Sequence, residues 1–140
     1  MKRYLLTILS MLIFGNVNAE ENPLLGFWKS NEALTIESMR ETEGITDKIK
    51  AVFEDNFFGK LIVEYRDQDF RAMYEDPKDN IDEFEKYHPY KILDKTDEYY
   101  LVESYDLLLN KNEIKKVYRA GKCYYVLISK WNFREYFCPI

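Results

Sequence analysis

The sequence predicts a mainly β fold: an antiparallel meander closed into a roughly eight-stranded barrel, with short helices between the first and second strands. Three observations carry this expectation. From Phe58 onward, apolar residues recur at every second position, the period of a half-buried strand. Clusters of Asp, Asn, Lys and Gly separate these short runs at hairpin spacing. Only the stretch between Ser30 and Asn56 has a helical period. Open sheet edges are costly, so a meander of this many strands is expected to close on itself.

Leu24 to Lys29 reads as the first strand, with Trp28 as its largest side chain. Ser30 or Asn31 then caps a ragged helix, through Leu34, Ile36 and Met39 to Gly44, because a side-chain oxygen there accepts free amide protons of the first turn. Thr46 caps a clearer second helix, with Asp47 at its positive end and Ile49, Val52 and Phe53 on one face, ending at Asn56. Leu61, Val63 and Tyr65 alternate with polar residues in one strand. The chain turns at Arg66-Asp67-Gln68-Asp69, and Phe70, Ala72 and Tyr74 alternate back. Asp76 to Asn80 opens a loop, and Ile81 to Tyr87 allows one surface helical turn. Strands follow at Tyr90–Leu93, Tyr99–Tyr105, Ile114–Arg119, Cys123–Lys130 and Phe133–Cys138. In the second of these, Tyr99, Leu101, Glu103 and Tyr105 share one face, and Tyr100, Val102 and Ser104 share the other.

The N-terminus is expected to fix the compartment. Lys2-Arg3 precede an apolar run from Tyr4 to Phe14, and Val17 and Ala19 stand where a signal peptidase reads small residues. A spanning helix would need about twenty apolar residues, so residues 1–19 read as a cleaved signal peptide of a periplasmic or secreted protein. Residues 20–140 then form one barrel domain, expected to act as a monomer with no membrane span. Cleavage removes Lys2 and Arg3 and no acid, taking the net charge from −5 to −7. An acidic chain with no clustered basic face disfavours nucleic acid and suits a basic partner protein. Cys123 and Cys138 are the two cysteines, and in an oxidising space they are expected to pair, contributing about 3 kcal/mol.

Recognisable catalytic sets are missing from the sequence. His88 is the single histidine, it precedes Pro89 in an expected loop, and neither a triad nor a zinc site can be assembled around it. The acids from Asp76 to Glu85 miss the alternate spacing and the glycine of a calcium loop. The glycines after residue 19 stand singly at 26, 44, 59 and 121, so no phosphate-cradling loop exists. The expectation is therefore a non-enzymatic protein with no cofactor and no metal. Tyrosine stands out instead, and Tyr65, Tyr74, Tyr90, Tyr99, Tyr100 and Tyr125 fall in expected strands. Pointing inward they either line a pocket for a small apolar or amphipathic ligand or fill the barrel outright.

Gly26-Phe27-Trp28 followed by an antiparallel meander resembles the lipocalin-like (calycin) barrels, which include lipocalins and fatty-acid-binding proteins. The resemblance implies that Gly26 lets the backbone pass closely at the closed end, and that Trp28 plugs that end under an arginine. Arg134 is the candidate for that arginine, with Arg119 second. The helical segment between the first two strands is similar to the fatty-acid-binding arrangement. Two functions follow: a barrel holding a small hydrophobic or amphipathic ligand, or an exported inhibitor or immunity-type protein binding a partner through an acidic, aromatic surface.

Overall fold

A computed structural model of the chain describes residues 21–107, 109–128 and 130–140. The signal peptide expected over residues 1–19 lies outside these. Eight antiparallel strands close in sequence order into a barrel: β1 (Gly26–Ser30), β2 (Leu61–Tyr65), β3 (Asp69–Tyr74), β4 (His88–Lys95), β5 (Tyr99–Asp106), β6 (Lys111–Ala120), β7 (Cys123–Ile128) and β8 (Phe133–Pro139). The ring is sealed by β1 against β8, with Trp28 opposite Pro139 and Ser30 opposite Phe137. Helices α1 (Glu32–Glu41) and α2 (Asp47–Glu54) lie between β1 and β2. The strand and helix order agree with the sequence expectation; the strand ends move by one to three residues.

Each helix begins where its capping chemistry puts it. Asn31 Oδ1 accepts the Leu34 amide proton at 3.0 Å, and Thr46 Oγ1 accepts that of Ile49 at 3.4 Å. The short β1 leaves the first half of β8 without a strand partner on the side away from β7, and α1 takes its place. Thr35 and Ser38, three residues apart on one helix face, accept the backbone N–H groups of Tyr136 and Arg134, both at 3.0 Å. An edge that would otherwise offer free donors is thereby covered.

The seam between β3 and β4 is the weakest join, with only Asp69 opposite Pro89 and Phe70 opposite His88. Beyond it a single 3₁₀ turn (Pro77–Asp79) and α3 (Asp82–Glu85) cover the wall. Asn80 Oδ1 accepts the Tyr74 N–H at 2.6 Å, and the Phe84 ring meets Tyr74 at 5.4 Å. Outside, Arg66 lies 3.5 Å over the Tyr87 ring, whose hydroxyl donates to Glu64.

Two apolar clusters result. One lies inside the barrel and includes Leu24, Val63, Val102, Val117, Tyr124 and Phe137. The other joins the helices to the start of β8 through Ile36, Met39, Phe53, Phe58 and Phe133. Cys123 and Cys138 are bridged, with Cα atoms 4.3 Å apart, the spacing of a directly opposed non-hydrogen-bonded pair. Their neighbours Tyr124 and Phe137 point inward, so the bridge lies outside the barrel on the β7–β8 hairpin. No helix among the described residues is long and apolar enough to cross a membrane.

Candidate functional site

Alternation decides what faces the interior. Along β8, Phe133 and Phe137 are buried while Arg134 is exposed, so Glu135 shares the inward face. Two chambers at the helix-bearing end use that face. The first, of about 280 Å³, lies inside the barrel among Val63, Ala72, Val102, Val117, Val126 and Phe137. The second, of about 300 Å³, lies beneath α2 among Phe53, Phe57, Phe58, Trp131 and Phe133. Leu61, Tyr74 and Glu135 line both, so the two spaces meet there.

Glu135 is the polar group of that junction. Its Oε1 accepts the Ser30 hydroxyl proton at 3.1 Å, and Ser30 Oγ accepts the Gly59 N–H at 3.1 Å. Gly59 has φ +85°, and a Cβ there would meet Cβ of Glu32 at 3.0 Å, so both backbone shape and space require glycine. Burial among apolar walls raises the Glu135 carboxyl to about 7, only partly offset by the Ser30 hydrogen bond. At the mouth of the first chamber Lys115 and Asp106 pair at 3.5 Å.

The opposite end is filled. Leu24 is 1% exposed beneath the barrel, and Trp28 Nε1 donates to its carbonyl at 2.8 Å. The Trp28 ring packs on Tyr124 at 4.9 Å. Tyr90 donates its hydroxyl proton to the Arg66 carbonyl at 2.5 Å, and the Tyr90 hydroxyl oxygen in turn accepts from Asn22 Nδ2 at 2.5 Å. Burial pushes the Tyr65 hydroxyl up to about 12 and that of Tyr124 well above its ordinary value, so both stay neutral in water-poor surroundings.

The tyrosines expected to line a pocket divide accordingly. Tyr65 and Tyr74 line the first chamber. Tyr90 and Tyr100 belong to the packed core near the filled end. Tyr99 and Tyr125 do not face the interior, which corrects the expectation for them. They sit on the outer face in a row across four strands, Tyr99–Tyr118–Tyr125–Tyr136, with each residue opposite the next. Ring centroids along it are 6.0, 4.9 and 5.3 Å apart.

Arg134 also corrects its expectation. It points outward, one residue out of phase with Phe133 and Glu135, and lies 4.7 Å over Tyr125 rather than over Trp28. Arg119, the second candidate, reaches the filled end but lies 5.6 Å over Tyr100. Gly26 is required for its φ of +114°, not for close approach, because a Cβ there meets nothing within 4 Å. His88 stacks on Tyr105 at 4.8 Å and its Nε2 lies 3.1 Å from the Glu83 carbonyl. Among the described residues no group of three or more His, Cys, Asp or Glu is placed to hold a metal ion.

Sequence reasoning missed Glu135. Its signal was present: Phe133-x-Glu135-x-Phe137 sets an acid among apolar residues of one strand face. No protein-family profile, curated protein or solved structure matches this chain.

Proposed function

We propose that this chain is an exported, non-enzymatic, lipocalin-like binding protein that holds a small hydrophobic or amphipathic ligand in the joined chambers at the helix-bearing end. The observation carrying this reading is the space itself. Interiors are ordinarily packed to the density of organic crystals, yet here a lining of Val, Ala, Leu and Phe side chains stands around open volume in a barrel whose other end is closed by Leu24, Trp28 and Tyr124. Among the polar groups of the lining, Tyr74 and Glu135 stand where the chambers meet, with Ser30 hydrogen-bonded to Glu135, which suits a ligand with one polar end. The Cys123–Cys138 bridge supports an oxidising compartment, periplasmic or extracellular.

The alternative reading, a protein-binding inhibitor, asks for an aromatic patch ringed by acids. The outer tyrosine row gives it less support, because Lys116 lies over Tyr99 and Arg134 over Tyr125.

N-phenyl-1-naphthylamine, an uncharged dye that brightens in apolar surroundings, tests the reading. The purified protein is expected to bind it saturably. Ala72→Leu, which grows into the first chamber, is expected to weaken binding about tenfold or more while the circular dichroism stays native. No saturable brightening, or equal binding by the variant, would refute it.

A further inference from the structure

The polar end of the ligand can be taken further, on the basis of the binding reading just given. We propose that the ligand is an amphipathic cation, an alkylamine or alkylammonium compound, whose charged head lies beside Glu135 beneath α2 and whose tail runs down the barrel.

The argument rests on what surrounds the head position. The chamber beneath α2 is walled by aromatic rings: Phe53, Phe57 and Phe58 from the helix and its exit, Tyr74 from β3, Trp131 and Phe133 from the β7–β8 turn. Aromatic faces carry negative charge density and attract an ammonium group, most strongly where water is scarce. The carboxylate in the same wall adds the opposite charge. Glu135 Oε1 is engaged by Ser30, and Oε2 takes no hydrogen bond among the described residues, so one acceptor faces the space. A fatty-acid head placed there would meet a like charge, while Lys115 is paired with Asp106 and Lys130 lies over the Trp131 ring. A plain alcohol would use the hydrogen bond and leave the ring faces unexploited.

Other charges do not alter this balance. Titratable and charged groups facing Glu135 across the chambers are Tyr65 of β2, Tyr74 of β3, Tyr124 of β7, and the Asp106 and Lys115 pair at the mouth. Glu32 of α1 lies beyond Gly59, and Lys130 lies 4.9 Å over the Trp131 ring. Tyr124 is held neutral by burial, and Asp106 and Lys115 offset each other. The charge at the head position is therefore set by Glu135. With its carboxyl raised to about 7, the empty site is half protonated near neutrality, and a cation binds best once that proton has left.

The test uses three ten-carbon compounds competing with the naphthylamine dye: decyltrimethylammonium, decanol and decanoate. At pH 8 the trimethylammonium compound is expected to bind about tenfold or more tighter than the other two. Its head does not titrate, so its affinity should fall about tenfold between pH 8 and pH 6 as Glu135 takes up its proton. In Glu135→Gln the preference for the trimethylammonium compound is expected to shrink about tenfold, to what the aromatic rings alone supply. Equal or tighter binding of decanoate, a preference undiminished in Glu135→Gln, or an affinity flat between pH 6 and 8 would overturn the cation assignment. The pH series on the unaltered protein decides the matter even if the variant fails to fold. If neither dye nor any ten-carbon compound binds, the binding reading itself fails and the cation assignment fails with it.

Discussion

The two ends of this barrel are made from the same strands and differ in what their inward residues do. At one end Trp28, Tyr124, Tyr65 and Tyr90 meet ring against ring beside the buried Leu24, and each buried side-chain polar atom among the described residues has a partner, such as the Trp28 indole N–H on the Leu24 carbonyl. At the other end the inward residues of the middle strands are small or branched, Ala72, Val102, Val117 and Val126, and they line an open chamber. An eight-stranded barrel is just wide enough to be filled by side chains, so the choice of residue at each inward position decides between core and cavity. Inside the barrel the packing lies at the end closed by Trp28 and the vacancy at the helix-bearing one.

The sharpest way to break that contrast is to empty the filled end. Trp28→Ala removes the largest floor side chain and is expected to cost about 3–5 kcal/mol in urea unfolding. A loss below about 1 kcal/mol would mean that the floor does not hold the barrel. Next comes the bridge on the β7–β8 hairpin. With Cys123 and Cys138 separated by 15 positions, the Cys123→Ser/Cys138→Ser double variant should lose about 3 kcal/mol in the same assay.

At the open end the largest expected effect depends on pH. The Glu135 carboxyl is raised in the folded chain to about 7 from an unfolded value near 4.5, so the native state holds the proton more tightly. Stability from this group is present at low pH and is lost as pH rises through that interval. The unfolding free energy of the unaltered protein, relative to Glu135→Gln, should fall by about 3 kcal/mol between pH 4.5 and 8. A difference that rises with pH would contradict the burial of this group. Smallest of all, Ala72→Leu fills open space rather than straining a core, and should change stability by no more than about 1 kcal/mol, in contrast to the overpacking cost at the filled end.

Much of this architecture was legible in the sequence because it rests on periodicity. The hairpins from Leu61 to Tyr74 and from Tyr99 to Arg119 announce themselves by two-residue alternation, and Asn31 and Thr46 announce the helix starts by capping chemistry. Orientation was harder. Tyr99 and Tyr100 are adjacent, and a single-residue shift of register exchanges which of them faces inward; only the closed ring, with Tyr100 opposite Val117, resolves it. Arg134 was misassigned for the same reason, since a motif names a residue type near a strand while the pleat decides the face. Glu135 was overlooked because the sequence offers twenty-five acids and gives none of them an environment. Its significance comes from Ser30, Leu61 and Phe133, which lie far from one another along the chain and meet only when β1, β2 and β8 close. The helix α1 as substitute partner for β8 was likewise invisible, because it depends on β1 being shorter than its neighbour.

The two tryptophans report on the two ends separately: Trp28 stands in the floor and Trp131 in the wall of the chamber beneath α2. A ¹⁵N–¹H spectrum of the protein therefore carries one indole N–H signal from each, assigned with Trp131→Phe. On titration with the naphthylamine dye or decyltrimethylammonium, the Trp131 signal is expected to move with saturation while the Trp28 signal, held by the Leu24 carbonyl, stays in place. A Trp28 signal that moves while Trp131 stays still, or two signals that never move, would contradict the division of this barrel into a packed floor and a ligand chamber.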